Sequence, residues 1–224
     1  MAATVSPGCG GAAPARDEPL PSNARRLRRC VTGLVLCGLG FSALVRAGLG
    51  LDAWDVFHQG VARQLGLPIG TVTIGTGFVV LLGWIPLRER PGIGTLLNAV
   101  VIGSVMNLVI PRLPGPTVWP VAWTFLLGGI TLAAVGSGLY IGAGLGPGPR
   151  DGLMTGIARR GHSVRVVRTA IELSALAAGW LLGGDVGIGT VVAAVTIGPA
   201  VHLALDRLAL PPRARAHAEA IEGT

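Results

Sequence analysis

The stretch "GIGTLLNAVVIG" at residues 92–103 returns as "GIGTVVAAVTIG" at residues 187–198, with Gly, Ile, Gly, Thr, Ala, Val, Ile and Gly in register. Upstream, "GLGLDAWDVFHQGVAR" at 48–63 matches "GLGPGPRDGLMTGIAR" at 144–159, which pairs Asp55 with Asp151, Gly60 with Gly156 and Arg63 with Arg159. Gly83-Trp84 and Gly179-Trp180 match between these blocks, and a single-residue gap closes the register. A repeat period of about ninety-five residues marks an internal duplication.

The repeated unit is apolar. Of 224 residues, 50% are hydrophobic and 13% charged, against about 25% charged in soluble domains; the mean hydropathy is +0.64. A spanning helix needs about 20 mostly apolar residues. Six stretches meet that length: 31–50, 69–87, 92–110, 118–143, 167–184 and 186–206. The fifth is the most polar, with Arg168 and Glu172 in its first turns. Three spans per half is an odd number, so the second half enters the membrane from the opposite side. The expected fold is an all-α polytopic membrane protein of six transmembrane helices, arranged as two inverted three-helix repeats. Residues 30–115 form the first repeat and 116–208 the second. Residues 1–29 read as a disordered, basic cytoplasmic tail and 209–224 as a second cytoplasmic tail.

All eighteen basic residues are Arg, which excludes a Walker A lysine and a Schiff-base lysine. With the N-terminus inside, fifteen of the arginines fall at or within the cytoplasmic boundary. Only Arg63 and Arg112 fall outside, and Arg46 lies in the first span. Retention of positive loops on the cytoplasmic side therefore predicts both termini inside. That distribution accounts for the net charge of +7 without nucleic acid, whose binders gather arginine on one soluble face. Cys9, Cys30 and Cys37 lack metal-ligand spacing and form no disulfide framework, so no metal and no cofactor are expected.

Each repeat also holds a short helix that is not apolar enough to span. In 51–66, Asp52 is placed to cap the helix, Asp55 lies in its first turn, and Trp54, Phe57, Val61 and Leu65 line one face. Its counterpart starts at Asp151. These amphipathic helices either lie flat at the interface or dip back into the membrane as re-entrant pieces lining a cavity, with Asp55 and Asp151 facing a solute.

Other polar residues inside the spans are site candidates because insertion of a charge costs a few kcal/mol. Arg168 and Glu172 share one helix face and can pair. Asn98 follows the first GIGT by one turn, and its counterpart Ala193 is apolar, so symmetry no longer constrains that position. The candidate lining is thus Asp55, Asn98, Asp151, Glu172 and Arg168. Asn107 is expected to bond a neighbouring helix, and the five tryptophans, Trp54, Trp84, Trp119, Trp123 and Trp180, to sit at interfaces.

The segments "GLGLDAWDVFHQG", "RERPGIGTLLNAVVIG", "GLGPGPRDGLMTGIARR", "VRTAIE" and "GWLLGGDVGIGT" together resemble the YczE-like group of bacterial membrane proteins, related to the YitT and YyaS proteins. The resemblance covers most of residues 31–208. It implies a multi-pass plasma-membrane protein and supplies no substrate.

Inverted repeats are a recurrent plan of secondary transporters. The favoured function is therefore a secondary transporter or permease for a small solute, and not an enzyme. The alternative is a non-transporting scaffold or regulatory component. An intramembrane serine protease, built on Ser137 and His202, has the weakest support, because no glycine stands at 135 to complete the usual surround. The expected partners are the lipid bilayer and a small-molecule solute, with a homodimer left open.

Overall fold

The computed structural model describes residues 22–210; the proposed tails over 1–21 and 211–224, and with them Cys9, lie outside the described residues. Within 22–210 the chain is all helical. The helices are α1 (Asn23–Ala47), α2 (Ala53–Leu65), α3 (Ile69–Leu82), α4 (Trp84–Leu87), α5 (Ile93–Val109), α6 (Trp119–Gly142), α7 (Pro149–Ala158), α8 (Val164–Leu181) and α9 (Ile188–Leu208).

Four of these stretches are long and apolar enough to cross a membrane: Asn23–Ala47, Ile69–Leu87, Trp119–Gly142 and Ile188–Leu208. Helix α5 is apolar but has 17 residues, and α8 carries Arg165, Arg168 and Glu172 over its 18 residues. The first helix begins earlier than expected. Ser22 caps it by accepting a hydrogen bond from the Arg25 amide, so residues 23–29 are helix rather than tail. The basic cluster there is anchored: Arg26 donates to Ala143 O at 3.0 Å, and Arg29 donates to Leu208 O.

Helices α1 and α6 form the centre. They cross through two glycine pairs, since a Cβ on Gly33 would lie 2.5 Å from Gly136 O and one on Gly40 would lie 2.6 Å from Gly129 O. Residue 33 meets 136 while 40 meets 129, so the helices run antiparallel. Between membrane helices lipid tails remove the hydrophobic drive, and close backbone approach at small residues takes its place. Helix α5 packs on α1, and α9 packs on α6.

The two GIGT segments start α5 and α9. In each, the glycine amide at the cap position donates to the threonine hydroxyl three residues on, Gly92 N to Thr95 Oγ1 and Gly187 N to Thr190 Oγ1, both at 3.2 Å. Each motif also grips the loop before the other half's short helix. Gly94 N donates to Leu145 O at 3.0 Å, and Gly189 N donates to Leu49 O at 2.7 Å.

The short helices are exchanged in the same way. Helix α2 packs on α8, and α7 packs on α3 and α4. Arg63 of α2 forms a two-pronged pair with Asp185 in the α8–α9 loop (2.8 and 2.6 Å), and Arg159 at the end of α7 pairs with Glu89 in the α4–α5 loop at 2.7 Å. The Arg63 hydrogen bond holds the Asp185 carboxyl below its usual range. Asp185→Asn should nonetheless cost under about 1 kcal/mol of stability, because both side chains are about half exposed. That small contribution is present at neutral pH and fades as acidification protonates the depressed carboxyl, which melting curves of wild type and variant across pH will check.

Two expectations need correction. The apolar stripe of α2 does not define its buried side: Trp54 is buried but Leu65 is 62% exposed, whereas Asp55 and His58 are buried. The helix is sandwiched between α3 and α8, so it faces protein on sides that a flat interfacial helix would give to water. Trp54 and Trp84 also leave the interfaces. Trp84 is buried against Gly152 and donates from Nε1 to Pro149 O at 3.0 Å, while Trp119 and Trp180 are exposed.

Candidate functional site

Repeat-related helix pairs are not equally packed. Helix α3 lies tightly along α5, with a Cβ on Gly103 meeting Gly70 O at 2.3 Å. Asn107 Nδ2 donates to Thr71 Oγ1 at 2.9 Å across the same contact, as its polar side chain predicted. Helices α8 and α9 make little contact. Gly198, the counterpart of Gly103, has nothing within 4 Å of the place an alanine methyl would take, and instead lines a cavity of about 410 Å³.

That cavity brings together Asn98 of α5, Asp151 of α7, and Arg168 and Glu172 of α8. Arg168 Nε donates to Glu172 Oε1 at 2.9 Å, so the expected i,i+4 pair forms on the wall. Tyr140 donates its hydroxyl to Asp151 Oδ2 at 3.2 Å, which fixes that carboxylate where α7 begins. Asp55 is the exception. It does not line the cavity, but lies behind it with His58, both nearly inaccessible.

The dominant side chain is one that sequence reasoning missed. Arg150, at the N-terminus of α7, extends over the rings of Trp54 (5.3 Å) and Phe41 (6.0 Å). Its Nη1 stands 3.8 Å from Asp52 Oδ2, too far for a hydrogen bond. Aromatic faces hold a guanidinium through its charge while leaving its in-plane donors free for another partner. In the sequence Arg150 is accounted for as one of the positive-inside arginines, and that reading conceals it. The departure from symmetry is the available signal, because the counterpart of Arg150 is Trp54.

Asp52 fulfils its expected cap role, accepting from Asp55 N at 2.9 Å. Ser137 and His202 both line the cavity, but the hydroxyl of Ser137 lies against Cys37 Sγ at 3.6 Å. Cys30 and Cys37 are free, buried thiols. Among the described residues no group of three His, Cys, Asp or Glu side chains is placed to hold a metal ion.

The chain has curated relatives in bacteria, one of them described as a membrane protein. An uncharacterized protein of Haemophilus influenzae is 42% identical over 180 residues, covering 80% of this chain and 83% of the relative. The uncharacterized membrane protein YczE of Bacillus subtilis is 36% identical, covering 78% of this chain and 83% of its own. The uncharacterized protein YyaS of the same organism is 24% identical over 76% of this chain and 88% of its own. No solved structure matches. A family model described as a family of unknown function, DUF6198, matches residues 24–206. By that match and by its likeness to YczE, the chain belongs to the DUF6198 family and is a YczE-like membrane protein.

Proposed function

We propose that this protein is a secondary transporter of a small polar solute, built from two inverted three-helix repeats with six spans. The arginine census supports a plasma-membrane orientation with both termini in the cytoplasm. Three reciprocal contacts support the inverted plan: the Gly33–Gly136 and Gly40–Gly129 crossings, the exchanged Leu49 and Leu145 hydrogen bonds, and the exchanged Arg63–Asp185 and Arg159–Glu89 pairs.

The observation that carries the reading is the difference between Gly103 and Gly198. Equivalent by sequence, one is pinned in a closed helix contact and the other borders an open cavity. A short loop ties α8 to α9 at their outer end, so their parting opens the cavity toward the cytoplasm. Outside, the Gly70–Gly103 and Thr71–Asn107 contacts close α3 onto α5. Exchanging these two arrangements would move access from one side to the other, as inverted repeats do in alternating access.

The 410 Å³ volume falls within the roughly 300–1,000 Å³ of ligand sites. The solute that fits its wall carries an anionic group for the Arg150 guanidinium and polar atoms for Asn98, Tyr140 and the Arg168–Glu172 pair. No catalysis is assigned to the site.

The test is thermal stability of the purified protein against a panel of small carboxylates, phosphates and amino acids, followed by counterflow of each stabilising compound in proteoliposomes. Binding to the native state alone adds about 2.7 kcal/mol at a hundred times Kd. Arg150→Gln, which keeps length and hydrogen bonding but removes the charge, should abolish most of that gain. A folded wild type that exchanges no compound of the panel would overturn the reading in favour of a non-transporting membrane component.

A further inference from the structure

Behind the cavity, Asp55 and His58 form a pair that solute contact does not explain. They are 1% and 2% exposed, and His58 Nδ1 lies 3.1 Å from Asp55 Oδ1. The Thr73 hydroxyl is 3.3 Å from the same nitrogen, but its own hydrogen is directed to Ile69 O at 3.0 Å. Nδ1 therefore faces two acceptors and carries the ring proton, a tautomer assigned from the bonding pattern. Asp55 Oδ2 is buried and has no hydrogen-bond partner. An unsatisfied buried carboxylate oxygen calls for a ligand or a role.

Beside the pair lies a cavity of about 20 Å³, lined by Trp54, His58, Thr73, Asn98 and Arg150 among others. That is room for one water-sized molecule. Trp54, Asn98, Ile102, Pro149 and Arg150 line both this space and the larger cavity, so they are the partition between them. The charged surroundings are few. Helices α3 and α5 contribute no titratable residue. Asp52 precedes α2, α7 brings Arg150 and the Tyr140-bonded Asp151, and α8 brings Arg168 and Glu172, paired with each other, and the exposed Arg165.

We propose that the Asp55–His58 pair is a proton-binding site: a proton enters from the side of the small cavity, which His58 borders, forms an O–H bond on Asp55 Oδ2, and leaves the same way. One proton satisfies the orphaned oxygen without recruiting the several further oxygen ligands that a sodium ion needs. The repeat partner, Asp151, already faces the open cavity. Coupling of this proton to solute movement rests on the transport reading, but proton binding does not.

The experiment is infrared difference spectroscopy of the full-length protein in lipid, stepped through pH without any solute. The expected result is a protonated-carboxyl C=O band that appears on acidification, is lost in Asp55→Asn, and moves to a different pH in His58→Gln. Far-ultraviolet circular dichroism establishes that each variant is folded; should Asp55→Asn fail to fold, the His58→Gln displacement carries the test. A wild-type spectrum with no such band, a band unchanged in both variants, or a band removed by sodium at constant pH overturns the proposal. A band that titrates in vesicles transporting no solute leaves the proton site standing and removes only the transport reading.

Discussion

Gly92→Ala and Gly187→Ala are each expected to destabilise the folded protein by about 1–3 kcal/mol, the cost of over-packing a filled site. A methyl at Gly92 would lie 2.3 Å from Leu145 O, and one at Gly187 would lie 2.4 Å from Leu49 O. In both cases the obstacle is a backbone carbonyl that is also receiving a hydrogen bond, from Gly94 N or Gly189 N. A side-chain rotation therefore cannot relieve the clash, and moving the loop breaks the bond. The two sites share no partner, so the double variant should lose the sum of the single losses. Gly198→Ala is the control: with open space around it and a helical backbone, it should be neutral or stabilising by up to about 1 kcal/mol. Melting temperatures in detergent measure all four; a tolerated alanine at either cap would show that the GIGT grip on the opposite loop contributes nothing.

Much of this arrangement could be read in the residues. The six apolar runs coincide with the helices α1, α3 with α4, α5, α6, α8 and α9, although α1 begins eight residues before its run, and four of these stretches are long and apolar enough to cross a membrane. The GIGT duplication located both helix starts, and Asp52 and the Arg168–Glu172 spacing marked local features that depend only on near neighbours. What stayed hidden was every long-range choice. Periodicity says that Trp54, Phe57, Val61 and Leu65 share a face, but not that α2 is enclosed by α3 and α8, where Asp55 and His58 turn inward. The arginine count likewise treats Arg150 as one more cytoplasmic charge, since a sum over loops is blind to the two aromatic rings that receive it. The exchange of α2 and α7 between halves is also silent in the sequence: hydropathy of a short helix is the same whichever half it covers.

The second large effect concerns access to the cavity. A Thr71→Cys/Asn107→Cys pair replaces side chains already hydrogen-bonded at 2.9 Å, and should cross-link almost completely under mild oxidation in a Cys9→Ala/Cys30→Ala/Cys37→Ala background. A Val166→Cys/Gly198→Cys pair occupies the positions related by the repeat to Gly70 and Gly103. In the present conformation α8 stands off α9 and Val166 is 64% exposed, so this pair is apart. If the halves exchange arrangements, α8 closes on α9 as α3 now closes on α5, and the second pair cross-links as the protein cycles. Rocking motions of this kind run on microsecond to millisecond timescales, far shorter than the oxidation, so even a minor closed population should accumulate as product. The two links should also exclude each other, because holding α3 on α5 keeps α8 away from α9: a protein first locked at Thr71/Asn107 with a cleavable cross-linker should lose the Val166/Gly198 product and regain it on release. Efficient linkage at Thr71/Asn107 with none at Val166/Gly198, in membranes and with the fold intact, would mean that the gap beside Gly198 is a permanent feature, and the alternating reading of the two repeats would fall.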